Sequence, residues 1–276
     1  MTINCLGQLI DLSSPKVMGI LNVTPNSFYD GNRYNSENLI LAQVEKMLSG
    51  GATFIDLGAY SSKPNAELVA EEEEIARLIP VLQSILKHFP ETILSIDTFR
   101  SHVAKISLDS GAAIINDISA GTMDENMFGV VAHFHAPYIM MHMRGTPQTM
   151  TGMTDYEDII KEMLYYFSDK IDKARSVGIN DLIIDPGFGF AKTLDQNYEV
   201  LQKLELFQNL DYPLLVGISR KSMVYKVLES SADAALNGTT VLNTIALSKG
   251  ANILRVHDVK EAVESVKLFE KMTTRL

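Results

Sequence analysis

Short apolar runs that stop at a polar residue recur along the whole chain: MGIL before Asn22, TFI before Asp56, ILSI before Asp97, AAII before Asn116, YIMM before His142, LII before Asp185, LLVGI before Ser219, and NIL before Arg255 and His257. Between these runs, apolar residues return at helical spacing, so the pattern reads strand, helix, strand, helix, eight times over. That order predicts an α/β fold, a (β/α)8 barrel, with every polar stop gathered on one rim. The predicted helices cover 37–48, 66–88, 101–108, 125–132, 156–177, 194–207, 221–230, 239–248 and 259–272. Glutamates at 71–74 suit the positive end of the second helix, and Pro80 predicts a kink within it. Residues 3–12 predict a small hairpin, turning at Gly7, that plugs the bottom of the barrel.

Composition narrows the picture. The 276 residues suit one barrel domain spanning 1–276, and a hydrophobic share of 46% supplies its core. No apolar run reaches the ~20 residues of a membrane span. The first residues lack a basic start followed by an apolar stretch, which points to a cytoplasmic protein. Cys5 is the sole cysteine, which excludes an internal disulfide or a thiolate metal cluster. A formal charge of −10 argues against nucleic acid and acidic membranes as partners. An anionic substrate therefore needs a local basic patch.

Asp97 and Asp185 each end an apolar run, and a buried carboxylate must meet donors. A planar heterocycle with adjacent ring N–H and amino groups supplies two donors in line, and Asn116 adds both a donor and an acceptor. Together they suit a pterin or purine edge; the plainer alternative for each aspartate is a helix cap or a lysine partner. Lys221 and Arg220 in the run SRKS, with Arg255 two residues before His257, follow the last two strands, where such barrels hold phosphate. In DPGFGFAKT, glycines after a strand let bare backbone approach a flat ligand, although the spacing is that of no nucleotide motif. The pair His133 and His135 precedes a strand and so faces away from the rim, which disfavours a metal-dependent hydrolase. Two polar connections, 24–36 and 60–68, have the composition of lids, or of plain solvated loops.

Taken in order, MGILNVTPNSFYDG, GATFIDLGAYSSKPNA, SIDTFRSHVAKISLDSGAAIINDIS, MHMRGTPQTM, LIIDPGFGFAKT, LVGISRKS and ILRVHDV resemble the motifs of the dihydropteroate synthase family over nearly the whole chain. The resemblance implies a (β/α)8 barrel and a transferase of folate biosynthesis. Its substrates would be 6-hydroxymethyl-7,8-dihydropterin diphosphate and p-aminobenzoate, with Mg²⁺ as cofactor and a homodimer as the assembly. It implies a pterin pocket of Asp97, Asn116, Asp185 and Lys221, with Arg255 over the pterin face and touching the diphosphate; Asp97, Lys221 and Arg255 would carry the catalysis. It assigns Asn22 to magnesium, and Ser62 and His257 to the diphosphate. It places Phe28, Lys63, Pro64, Phe190, Ser219 and Arg220 beside p-aminobenzoate, the substrate that sulfonamides mimic. Loss of pyrophosphate would precede amine attack, with p-aminobenzoate binding second. A methyltransferase acting between methyltetrahydrofolate and a corrinoid protein would share the aspartates but not N-V-T-P-x-S-F or S-R-K-S. A non-catalytic pterin-binding paralogue, which altered loops would favour, would be separated from a synthase by the absence of coupled pyrophosphate release. The chain departs from the family at Asn26, where aspartate is usual, and at Lys63 and Asn65, where arginine and glycine are usual. Those changes are expected to alter affinity for p-aminobenzoate and its mimics while leaving the pterin pocket intact.

Overall fold

Each predicted strand is short, aliphatic and apolar on both sides, the composition of a strand covered on both faces. In the computed structural model, which describes residues 1–23, 33–60 and 69–273 apart from the side chains of 33–36, these runs form one sheet of eight parallel strands. They are β3 (Lys16–Asn22), β4 (Phe54–Gly58), β5 (Ile93–Asp97), β6 (Ile114–Asp117), β7 (Tyr138–Met141), β8 (Leu182–Asp185), β9 (Leu215–Val216) and β10 (Ile253–Val256). Neighbours follow chain order from β3 to β8, and β10 pairs with both β3 and β9. The circle is completed by a bridge between Ile184 and Leu214, with the Ile184 N–H donating to the Pro213 carbonyl at 2.9 Å. The (β/α)8 barrel and its N-terminal strand pair are therefore as the sequence predicts.

The hairpin of β1 (Thr2–Cys5) and β2 (Gln8–Asp11) turns at Leu6 and Gly7, both with positive φ, as a tight hairpin turn requires. Its inward residues Ile3, Cys5 and Ile10, with Leu12, pack against Met18, Phe54, Ile114, Ile139, Ile183, Leu215 and Ile253. This is the plug at the lower mouth of the barrel, and burying such side chains stabilises the fold by on the order of 1.5–3 kcal/mol each for the larger ones.

Because successive strand residues alternate faces, the residue two beyond each plug contact points into the barrel one layer higher. Thus Phe54 leads to Asp56, Ile114 to Asn116, Ile183 to Asp185 and Ile253 to Arg255. An apolar floor turns into a polar bowl within one step. Asp56 is consequently not the end of its strand as predicted: β4 continues to Gly58, and Asp56 lies in mid-strand beside Ser95 and Ile20.

The surrounding helices are α1 (Arg33–Ser49), α2 (Glu71–His88), α3 (Ser101–Asp109), α4 (Met127–Phe134), α5 (Ile159–Ser176), α6 (Leu194–Gln202), the single turn α7 (Ser222–Tyr225), α8 (Leu236–Ser248) and α9 (Val259–Thr273). Several boundaries shift for local reasons. The second helix starts at Glu71 rather than 66, and runs through Pro80 without a break in assignment. The fifth starts at Ile159, where the Asp158 side chain accepts from the Lys161 N–H. The sixth opens on a capping box between Thr193 and Gln196 and gives way after Gln202 to a 3-10 segment, Leu204–Leu210. His133 and His135 end α4 just before β7, at the mouth opposite the polar bowl.

Candidate active site

The lowest polar layer is built on Asp56. Its Oδ1 accepts from Ser95 Oγ at 2.6 Å, and its Oδ2 from Asn116 Nδ2 at 3.1 Å and from Arg255 Nε at 2.6 Å. One layer up, Asp97 accepts from Arg255 Nη2 at 2.8 Å on Oδ2 and from the Tyr60 hydroxyl at 2.9 Å on Oδ1. A single guanidinium is thus shared by two buried carboxylates. Burial pushes the Asp97 carboxyl up to about 7 against the pull of Arg255, with the Asp56 charge adding to the rise. Burial works against the Arg255 charge, but Asp56 and Asp97 outweigh it and hold that charge firmly. Each carboxylate oxygen of Asp97 keeps a further lone pair for a ligand donor.

On the facing strands, Asp185 fixes its own loop by accepting the Gly187 N–H at 2.8 Å on Oδ1. Burial raises its carboxyl above the usual range, and Lys221 pulls the other way. Lys221 donates to the Phe188 carbonyl at 2.6 Å, and its ammonium lies 4.8 Å from the centre of the Phe190 ring. Burial lowers Lys221 to about 8, against the attraction of Asp185. Gly217 joins the two sides: a Cβ there would lie 3.9 Å from both Arg255 Cβ and Lys221 Nζ. Asp97, Asn116, Asp185, Lys221 and Arg255 therefore share one bowl, with the Arg255 guanidinium lodged between the carboxylates of Asp56 and Asp97.

At the lip, Ser219 Oγ and His257 Nδ1 are 3.1 Å apart, and the His257 N–H donates back to Ser219 Oγ at 3.2 Å. His257 is exposed at the lip, but desolvation of the imidazole by the surrounding protein, together with the Arg255 charge, lowers it to about 4. Asn22 ends β3 across the bowl. A Cβ on its neighbour Gly58 would sit 3.3 Å from Asp97 Cβ and 3.6 Å from Asn22 Oδ1, so the Asn22 amide borders Asp97. Arg220 is placed differently. Its guanidinium forks onto Asp258 at 2.9 and 2.8 Å and reaches the carbonyls of Ala232 and Asp233, so its charge closes the loop after α7. Phe28, Ser62, Lys63 and Pro64, with Asn26 and Asn65, lie outside the described residues. Both predicted lids fall largely there.

Three groups have roles that the sequence does not reveal: Asp56, read only as a strand-end residue, which anchors Arg255; Tyr60, which donates to Asp97; and Lys192, buried beside His142. For the first two a signal exists, since 54, 56, 58 and 60 alternate onto one face. Among the described residues no three His, Cys, Asp or Glu side chains gather into a metal cage. What the bowl offers is a set of acceptors and donors for a heterocycle edge, with the cations Lys221 and Arg255 close by for an anion.

A family model described as "Pterin binding enzyme" matches residues 18–257. The dihydropteroate synthase of Synechocystis sp. is 43% identical over 259 residues, covering 93% of this chain and 89% of the relative. That of Escherichia coli is 42% identical over 266 residues, covering 96% of this chain and 94% of the relative. Among solved structures, the Yersinia pestis dihydropteroate synthase with a sulfonamide drug complex aligns with a TM-score of 0.93 at 39% identity, over 100% of both chains. The Xanthomonas albilineans enzyme in complex with 7,8-dihydropteroate aligns with a TM-score of 0.90 at 30% identity, again over 100% of both.

Proposed function

The chain belongs to the dihydropteroate synthase family of pterin-binding enzymes, and from that membership we propose a role for each group of the bowl in joining 6-hydroxymethyl-7,8-dihydropterin diphosphate to p-aminobenzoate. The reaction is a transferase reaction: the bond from the exocyclic methylene to the diphosphate oxygen breaks, a bond from that carbon to the aryl amine nitrogen forms, and the amine loses a proton. The observation that carries the assignment is the convergence of Asp97, Asn116, Asp185 and Lys221 around the Arg255 guanidinium.

Asp97 and Asp185 accept the ring and amino N–H groups of the pterin, Asn116 completes that edge, and Lys221 donates to the ring carbonyl oxygen. Arg255, held by Asp56 and Asp97, packs on the pterin face and reaches the diphosphate, with His257 at its lip. The electron-rich dihydropterin delocalises the positive charge that appears on its methylene as pyrophosphate leaves, so departure precedes attack. An aryl amine is neutral at pH 7 and needs little general-base help. The remaining task is to orient it and keep water out, which falls to Phe28, Lys63, Pro64, Phe190 and Ser219, while Ser62 joins His257 on the diphosphate.

Magnesium fits this donor set. The Asn22 amide makes no side-chain hydrogen bond among the described residues, and Mg²⁺, which keeps several waters and takes substrate phosphates as ligands, needs no protein cage to hold it there. Bound through Asn22 and the diphosphate, it would neutralise the leaving group. Formation of dihydropteroate from the two substrates, assayed with and without Mg²⁺, tests the whole reading; absence of product with both substrates and the metal present would overturn it.

Asp97 must be ionised to accept and Lys221 protonated to donate. The kcat/KM profile is therefore expected to rise through about pH 7 and to fall above about pH 8. A Lys221→Arg variant, whose charge persists, should lose the alkaline fall even if its rate is low. A profile flat from pH 6 to 9 on the ~1-unit scale of such transitions would contradict these roles.

No described helix is long and apolar enough to cross a membrane. The working form in this reading is a cytoplasmic homodimer. The packed neighbours α8 and α9 each leave an i,i+4 apolar pair in solvent, Val241 with Ile245 and Leu268 with Met272, the two of α9 being 74% and 73% exposed. Leu268→Glu is expected to convert the dimer to a folded monomer in analytical ultracentrifugation. A wild-type chain that sediments as a monomer at micromolar concentration would exclude the dimer.

A further inference from the structure

Burying a lysine amine is costly unless each hydrogen-bonding position is met, and a methionine of similar length would pack in its place without that cost. Lys192 is nevertheless buried, and its Nζ is surrounded. It lies 3.1 Å from His142 Nδ1, and it donates to the carbonyls of Gly187 at 3.0 Å and Phe190 at 3.1 Å. None of the roles above uses it.

Its partners belong to the loop after β8, where the chain passes unusually close to β7. A Cβ on Gly187, whose φ is +70°, would lie 2.2 Å from the His142 carbonyl oxygen, so that approach is open to glycine alone. From this loop come the Phe188 carbonyl that accepts from Lys221 and the Phe190 ring beneath the Lys221 ammonium. Asn197 takes the Gly189 N–H at 2.6 Å. The carbonyls at 187 and 190, on either side of Phe188, both accept from Lys192, the first of them sharing its oxygen with the Phe190 N–H at 3.1 Å.

We propose that Lys192 is a positioning residue for this reaction: by tying the carbonyls of Gly187 and Phe190 to His142, it fixes the loop from which Phe188 and Phe190 hold Lys221 over the pterin pocket. The tie does not depend on its charge. As an ammonium, Lys192 donates three bonds and His142 Nδ1 accepts one of them. As an amine, it donates to the two carbonyls, and its lone pair accepts from the Nδ1–H of the other imidazole tautomer. The charged groups around it are Asp185 from β8, Lys221 and Arg144, with His142 from the end of β7; burial and Lys192 itself keep that imidazole neutral.

This inference rests on the synthase reading, so the wild-type enzyme is assayed first; a wild type that makes no dihydropteroate removes that reading, whatever Lys192 does. In an active enzyme, Lys192→Met is expected to raise KM for the pterin diphosphate about tenfold while kcat changes less than about threefold, because the Lys221 contact is made equally in ground and transition states. His142→Phe, which removes one of the three bonds and is the fallback should Lys192→Met fail to fold, is expected to raise the same KM by a factor of about three and to add almost nothing on top of Lys192→Met. A structural role alone would lower kcat and melting temperature with KM unmoved. That outcome, an unchanged KM in either single variant, or fully additive effects in the double variant would overturn the inference.

Discussion

Arg255→Met is expected to lower kcat/KM by about two to three orders of magnitude and to destabilise the fold at the same time. The guanidinium is the shared counter-charge of Asp56 and Asp97, both buried, and it contacts each within 2.8 Å. Removing it strands two carboxylates, and breaking a buried pair from one side costs about 3–5 kcal/mol. The Asp97 carboxyl, already raised by burial, would rise further without Arg255, so the variant would hold it protonated and unable to accept the pterin N–H at neutral pH. The two effects separate in the double variant Asp56→Asn with Arg255→Met. Deleting the lower charge should recover much of the lost melting temperature but none of the activity, because the group proposed to meet the pterin face and the diphosphate is still missing. A double variant that regains activity together with stability would show Arg255 to be a structural counter-ion and remove it from the catalytic roles.

The barrel is legible because each strand shows the same local rule: a short apolar run covered on both faces, then a polar residue. The plug hairpin is legible for the same reason, since Ile3, Cys5 and Ile10 alternate onto one face. Placing the stops, however, requires knowing how far each strand extends. β4 runs on through Gly58, so Asp56 belongs to a lower layer than Asp97, and that layering makes it the anchor of Arg255 rather than a rim group. Tyr60 reads as an ordinary aromatic until the alternation is counted on from Phe54. Lys192 has no such signal. Its burial is set by His142, 50 positions earlier in the chain, and by a glycine that lets two loops touch. Arg220 shows the opposite limit. Charge and position put it beside an anion, but Asp258, two residues beyond the last strand, forms the better-matched fork.

Asp185→Asn is the sharpest test of the pterin edge, because it changes one atom and leaves the fold alone. The amide oxygen can still accept the Gly187 N–H, as Asp185 Oδ1 does at 2.8 Å, so the loop keeps its cap. The other position becomes an NH2 group that meets ligand donors with a donor. Each ligand N–H left unpaired costs about 1–3 kcal/mol, so kcat/KM should fall by about two orders of magnitude or more. Thermal stability should hold or rise, because burial already penalises the Asp185 charge that the substitution removes. A second signature follows from Lys221. Asp185 is what counters the burial that lowers Lys221 to about 8, so without it the lysine loses its proton at lower pH. The defect should therefore deepen as pH rises through neutrality, while a simple loss of one acceptor would give a constant ratio to wild type. Retention of kcat/KM within about threefold at every pH would mean that the pterin does not bind against this carboxylate.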